Sequence, residues 1–265
     1  MAGKIRVGIG GWTFEPWRGV FYPKGTRQAD ELAYASRHVT AIEINSTYHG
    51  TQKPESFAKW AATVPEGFVF ALKANRFCTN RRVLGESGES ITKFLNQGIV
   101  ELGGKLGPIL WQFMPSKRFD PDDFAAFLAL LPGEAGGLPL RHCVEVRHDS
   151  FRDPEFIGLC RRHGVAICLA HHEAFPLIAD VTADFVYARL MKSAEAIDTG
   201  YSDPDLDTWS ARFRAGAEGG VSDDLPLIDA DHKAEKADRA VFAFFISGDK
   251  VRNPAAAMAL IQRLG

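Results

Sequence analysis

The sequence predicts an α/β chain closed into a single TIM-like (β/α)8 barrel over residues 1–265, and three observations carry that expectation. Eight short β-branched or aromatic runs recur along the chain, most of them separated by longer amphipathic stretches, which is the alternation of parallel α/β architecture. Proline repeatedly opens the longer stretches behind an Asp or Asn able to cap, in DPDD, DPEF, DPDL and NPAA. A chain of 265 residues with 46% hydrophobic composition can bury one large core, within the size range of such barrels.

In order, KIRVGIG reads as the first strand and Gln28 to His38 as the first helix. TAIEIN and the helix Pro54 to Ala62 follow, then FVFALKA and Ser87 to Leu102. PILWQFM leads to the helix Pro121 to Leu131, and HCVEVRH to Pro154 to His163. VAICLA is the sixth strand; the link after it, HHEAFPLIAD, is too short for a full helix, so an incomplete one is expected there. FVYARL precedes the helix Pro204 to Ala215. A polar, Gly-containing insertion from about Ala215 to Arg239 is expected to lie on the surface, because sequence such as AEGGVSDD buries little. VFAFFIS and the helix Pro254 to Leu264 close the chain.

Successive strand side chains face opposite ways, so Ile42 and Ile44 share one face while Ala41, Glu43 and Asn45 share the other. Applied to the other strands, the same phase turns Lys73, Gln112, Glu145, Arg147 and Arg189 inward near the C-terminal ends. Nearer the strand starts it turns in Ala41, Ala71, Cys143 and Ala243, with Phe70, Val144 and Val146 outward. Active sites of such barrels form at the C-terminal ends of the strands, where these polar groups collect. Glu43, a carboxylate in an apolar strand, therefore belongs to a polar mouth.

A formal net charge of -2 with 24% charged residues does not call for nucleic acid in bulk. No run reaches the roughly 18 apolar residues of a spanning helix and the start carries no signal-length apolar run, so no membrane role and a cytoplasmic location are expected. Cys78, Cys143, Cys160 and Cys168 show no CxxC spacing and read as buried thiols.

GGWTFEPWRGVFYP, EINSTYHG, FVFALKANRFCT, LGPILWQFMPS, VEVRHDSF and YARL together resemble the YecE-like proteins, domain-of-unknown-function family 72, over nearly the whole chain. The resemblance implies a TIM-like barrel and leaves the activity open. It also implies that Glu43, Asn45, Lys73, Gln112, Glu145, Arg147 and Arg189 hold the family's polar positions. The chain departs from the family pattern at Thr79-Asn80, at His171 with His172 and Glu173, and in FFISGDKVRNP, where relatives run into an Asn-rich segment. These departures admit a changed substrate or a weakened activity.

The mouth's charges favour an anionic, phosphate- or carboxylate-bearing ligand held by Arg147 and Arg189, since arginine's planar fork suits such groups. Lys73 reads as a further anion contact or as an amine nucleophile, and Glu43 with Glu145 as groups for acid/base work or for orienting the ligand. Asn45, Gln112, Trp12 and His171 are the remaining expected contacts. The competing structural reading is a set of internal ion pairs, Glu145 with Arg147 and Glu43 with Lys73. A divalent metal is not favoured, because Lys73 and the arginines oppose it and no HExxH spacing exists. No nucleotide cofactor is expected: GIGG lacks the third glycine of the dinucleotide fingerprint, with Thr13 in its place. Trp12, Phe14, Trp17, Phe21 and Tyr22 read as a hydrophobic lid. If RFCTNRR, with Arg76, Arg81 and Arg82, extends the mouth into a groove, the alternative is a nucleic-acid-binding or phosphodiester-cleaving protein; a non-catalytic binding barrel is the third reading. As an enzyme the chain fits a hydrolase or a lyase- or isomerase-type catalyst, and oligomeric state is not legible.

Overall fold

The computed structural model describes residues 2–232 and 235–265. Eight parallel strands close into one barrel: β1 Ile5–Gly10, β2 Ala41–Ile44, β3 Val69–Lys73, β4 Leu106–Gln112, β5 His142–Glu145, β6 Ala166–His171, β7 Phe185–Leu190 and β8 Ala240–Phe245. Each strand pairs with its sequence neighbours, and β8 closes on β1 with Ile5 opposite Val241. The surrounding helices are α1 Glu31–Ala35, α2 Ser46–His49, α3 Pro54–Thr63, α4 Arg76–Thr79, α5 Gly88–Leu95, α6 Pro121–Ala129, α7 Pro154–Arg162, α8 Asp203–Ala217 and α9 Asn253–Leu264. The caps at α6 and α7 are the expected ones, with the Asp120 carboxylate accepting from Asp123 N and that of Asp153 from Glu155 N.

Two apolar layers result. Inside the barrel lie Ala41, Ala71, Leu110, Cys143, Cys168 and the larger Phe185, Tyr187, Phe242 and Phe244. Between strands and helices lies a larger shell that includes Ile42, Ile44, Phe70, Val144 and Val146. Ala243 belongs to this outer shell, contrary to the inward phase expected for it, because Phe242 and Phe244 occupy the interior. That choice of phase is compensated next door, where Phe244 pairs with Gly8 and Gly8 with Ala41. A Cβ on Gly8 would lie 1.9 Å from the Ala41 carbonyl oxygen, so this crowded point admits only glycine.

Several helices are shorter than periodicity implies. The expected helix from Ser87 to Leu102 stops at Leu95 and resumes as a 3-10 segment, Ile99–Lys105. Gly98 between them has φ +107°, and a Cβ there would meet Pro54 Cα at 2.6 Å. The first expected helix divides into a 3-10 turn, Gln28–Asp30, and α1. Among the described residues the link from β6 to β7 carries no helix, where an incomplete one was expected. A two-stranded hairpin, Glu134–Ala135 with Leu138–Pro139, precedes β5 and was not expected.

The expected surface insertion is tied down in its first half. Leu225 is buried in the outer core, with Val221 and Ile228 packed on it. The Asp180 carboxylate accepts from the Ile228 and Asp229 amides at 2.8 and 2.9 Å. Lys233 and Ala234 of the insertion lie outside the described residues. Leu225→Ala is therefore expected to cost about 2 kcal/mol in urea unfolding, the low end for a large-to-small core change. A loss below about 0.5 kcal/mol, as at ordinary surface positions, would show that the segment does not contribute to the core.

Among the described residues no helix is long and apolar enough to cross a membrane. All four cysteines are free and buried. The aromatic residues after β1 form a plug: Trp17 packs edge-on against Phe14, Phe21 and Tyr22. Trp17 Nε1 donates to the Lys250 carbonyl at 2.8 Å, joining this loop to the one after β8.

Candidate functional site

The C-terminal ends of the strands build a charged floor. Glu43 ends the inward phase of β2, Lys73 that of β3, Gln112 that of β4 and Glu145 that of β5, with Arg189 one residue short of the end of β7. Glu43 and Glu145 are both 0% exposed and Arg189 is 2% exposed. Arg189 lies between the two acids, donating from Nη1 to Glu145 Oε2 and from Nη2 to Glu43 Oε1, the latter at 3.1 Å. Tyr187, two residues earlier on the same face, donates to Glu43 Oε2 at 2.6 Å. Glu145 Oε1 also accepts from Arg147 Nε at 2.6 Å and from Gln112 Nε2 at 3.1 Å. Of the two ion pairs considered from sequence, Glu145 with Arg147 exists; Glu43 pairs with Arg189 in place of Lys73.

This pairing sets the electrostatics. Burial alone would push the Glu145 carboxyl up, but Arg189 and Arg147 outweigh it and hold it down at about 2. Burial works against charge on Arg189, and Glu145 and Glu43 outweigh it, raising its pKa. Burial and the Glu43 charge push the Tyr187 phenol well up, so it stays a donor. Lys73 differs. Burial first, then the Arg189 charge, lower its amine to about 8. Among the described residues its Nζ has no hydrogen-bond or ion-pair partner, and it stands 3.9 Å from the Tyr48 ring centroid. Arg147 spends Nε on Glu145 and lies 4.4 Å over the Phe175 ring, leaving its terminal nitrogens without hydrogen-bond partners among the described residues.

Above the floor opens a cavity of about 710 Å³. Lys73, Gln112, Arg147 and Arg189 form its charged side, and Asn45 and Trp12 also line it. Trp12 packs edge-on against Trp60, another lining residue, at 5.2 Å. Glu43 and Glu145 lie beneath the lining, reached through the arginines. Sequence reading missed His49, Gln52, Lys250 and Asn253 on the wall, and Tyr187 on the floor. Tyr187 was detectable, since it shares Arg189's phase. The wall residues come from short helices and loops, where no periodicity marks the inward side.

His171 is not brought to this cavity. Ala166, Cys168 and Ala170 take the inner phase of β6, so His171 turns out toward α8, with Nδ1 3.2 Å from the Tyr201 hydroxyl and its ring 5.0 Å from Trp209. Burial and the nearby Lys192 lower it to about 4, leaving it neutral. His172 stacks on Phe175 at 4.0 Å, and Glu173 meets Lys192 at 3.7 Å. Among the described residues no three or more His, Cys, Asp or Glu side chains are grouped to hold a metal ion. In RFCTNRR, Arg81 donates to the Phe77 and Glu86 carbonyls and to Ser90 Oγ, so it braces its own loop.

A family model described as "Protein of unknown function DUF72" matches residues 6–265. The UPF0759 protein YunF of Bacillus subtilis is 27% identical over 164 residues, 57% of this chain and 54% of that protein, so the match spans about half of YunF. The fold is similar to that of a DUF72 family protein from Thermotoga maritima, with TM-score 0.70, 22% identity and 97% of each chain covered. A DUF72 family protein from Enterococcus faecalis gives TM-score 0.69 at 17% identity, with 99% of each chain covered.

Proposed function

The chain belongs to the DUF72 family of proteins of unknown function, and from that premise and its mouth we propose that it acts on a small anionic ligand, bearing phosphate or carboxylate, at the C-terminal end of the barrel. One observation carries this reading. Both floor acids are already neutralised by Arg189 and Arg147, so Lys73 and Lys250 line the cavity without a buried acid of their own. A cleft with surplus positive charge recruits anions.

Arg147 meets the anion with its two free terminal nitrogens, a geometry suited to bidentate contact. Arg189 is committed to the two acids and acts as a fixed positive floor. Glu145, held at about 2, stays ionised and orients Arg147 and Gln112 instead of supplying a proton. Glu43 orients Arg189. Lys73, whose value of about 8 lies close to working pH, is the reactive amine of the floor. Asn45 and Trp12 shape the wall.

Arg147→Lys keeps the charge and loses the fork, so the affinity for the bound anion is expected to fall by roughly 1–3 kcal/mol. Arg147→Ala leaves Glu145 paired with Arg189 and Gln112. Its stability cost should therefore be about 1–2 kcal/mol, short of the roughly 3–5 kcal/mol of a stranded buried charge. Thermal melts of the parent and both variants, with and without inorganic phosphate, pyrophosphate and citrate, provide the measurement. If no anion raises the parent's melting temperature, the mouth is a structural ion-pair set and this reading fails.

A further inference from the structure

Resting on the anion-binding reading above, we propose that the ligand is a carbonyl compound and that Lys73 forms a covalent imine with it. The protein's other tethered lysines each hold oxygens. Lys105 Nζ donates to two carbonyls, of Ala61 and Val64, at 2.6 and 2.8 Å. Lys117 Nζ takes the Arg82 carbonyl and the Asp123 carboxylate, at 2.9 and 2.8 Å. An ammonium removed from water collects oxygens in this way. Lys73 collects none among the described residues, although two carboxylates belong to the same floor, because Arg189, Arg147, Tyr187 and Gln112 have taken their oxygens.

The amine is thus half-buried, lacks a counter-ion among the described residues and faces a cavity large enough for a small molecule. Its base is rigid: Thr47 Oγ1 donates to the Lys73 carbonyl at 2.7 Å, and the next amide, Ala74 N, donates to Leu110 O at 2.9 Å. Burial, Arg189 and Arg147 disfavour its proton, while Glu43, Glu145 and the Tyr48 ring favour it; burial dominates. An amine lowered in this way is the activated nucleophile of imine chemistry.

The step balances without an oxidant. The Nζ lone pair attacks the carbonyl carbon, the C=O π pair moves to oxygen, and oxygen takes up the proton lost by nitrogen, giving a carbinolamine. The C–O bond then breaks, oxygen leaves as water with a second proton from nitrogen, and C=N forms. Arg147 holds the anionic end of the same molecule.

The test incubates the full chain with pyridoxal 5′-phosphate, an anionic aldehyde, then with glyoxylate, each followed by borohydride, which reduces C=N to a stable secondary amine located by peptide mass mapping. Lys73 is expected to label about tenfold or more faster than the protein's other lysines, because burial and the Arg189 charge disfavour its proton while the amine faces the cavity. Inorganic phosphate should slow that labelling and Arg147→Lys should reduce it, while Lys73→Arg should remove it. Labelling of Lys73 no faster than the other lysines, in a protein whose melting temperature phosphate still raises, overturns the imine and leaves the anion site standing. Fast labelling indifferent to phosphate overturns the anionic half of the proposed ligand. Slow labelling with no effect of any anion overturns both.

Discussion

Arg189→Ala is expected to lower the unfolding free energy by about 3–5 kcal/mol, the cost of breaking a buried charge set by removing one partner. The guanidinium joins Glu43 on β2 to Glu145 on β5, and all three groups are almost fully buried. Without it Glu145 keeps Arg147 and Gln112, but Glu43, among the described residues, keeps the Tyr187 hydroxyl and has no ion-pair partner. The acid side should change too. Glu145 has its folded value depressed from 4.5 to about 2, so the stability it contributes is present above pH 4.5 and lost as pH falls toward 2. In the variant that contribution should be smaller and its loss complete at higher pH, since the charge that most depresses the carboxyl is gone. If Arg189→Ala fails to fold, the combined variant Arg189→Met, Glu43→Gln, Glu145→Gln removes the three buried charges, leaves the partly exposed Arg147, and should recover most of the loss, since neutral replacements escape the desolvation penalty. Urea unfolding of the variants is the measurement, and a loss below about 1 kcal/mol for Arg189→Ala would mean that the acids are solvated and not buried.

Lys73→Met is expected to do the opposite, stabilising the fold while abolishing function. The folded amine is depressed from 10.5 to about 8, so the ammonium is penalised in the fold by about 3 kcal/mol at pH 7, at 1.36 kcal/mol per pKa unit. Between pH 8 and 10.5 the unfolded chain binds more protons than the folded one, so the parent's stability rises with pH across that window. The penalty is complete below pH 8 and gone above pH 10.5. Lys73→Met should therefore raise stability by about 2 kcal/mol at pH 7, allowing for the lost contact with the Tyr48 ring. The gain should shrink toward zero near pH 10.5. Paired urea melts at pH 7 and pH 10 measure it, and an equal gain at both values would place its origin in packing and not in the amine's charge. A group that destabilises the fold at neutral pH fits the pattern of functional sites.

Much of the floor was legible as a strand pattern. Alternation placed Glu43, Lys73, Gln112, Glu145 and Arg189 on the inner face from their positions in short runs, because that alternation is a local consequence of backbone geometry. It erred at Ala243, where bulk decided the phase: Phe242 and Phe244 fill the interior, Phe244 opposite Gly8 of β1, which in turn faces Ala41 of β2. His171 falls outside the site for a related reason: Ala166 and Cys168 take the inner phase of β6, which turns His171 outward.

The eight-strand alternation, the Asp caps of α6 and α7 and the polar character of the strand ends are legible in the sequence, all set by neighbours within a few residues; α8 is capped by Ser202 in place of the expected Asp203, and α9 has no side-chain cap from Asn253. The tertiary structure alone decided which charges meet. Arg189 reaches Glu145 across 44 positions and Glu43 across 146, and Tyr187 reaches Glu43 across 144. Those separations close only when the barrel does. Lys73, which sequence reading paired with Glu43, is left among the described residues without an ion-pair partner, against the Tyr48 ring, because the arginine claims that acid first. Periodicity fixes the direction of a side chain, but ion pairing in a buried floor is a competition among groups from several strands, and its outcome depends on distances that exist only after closure.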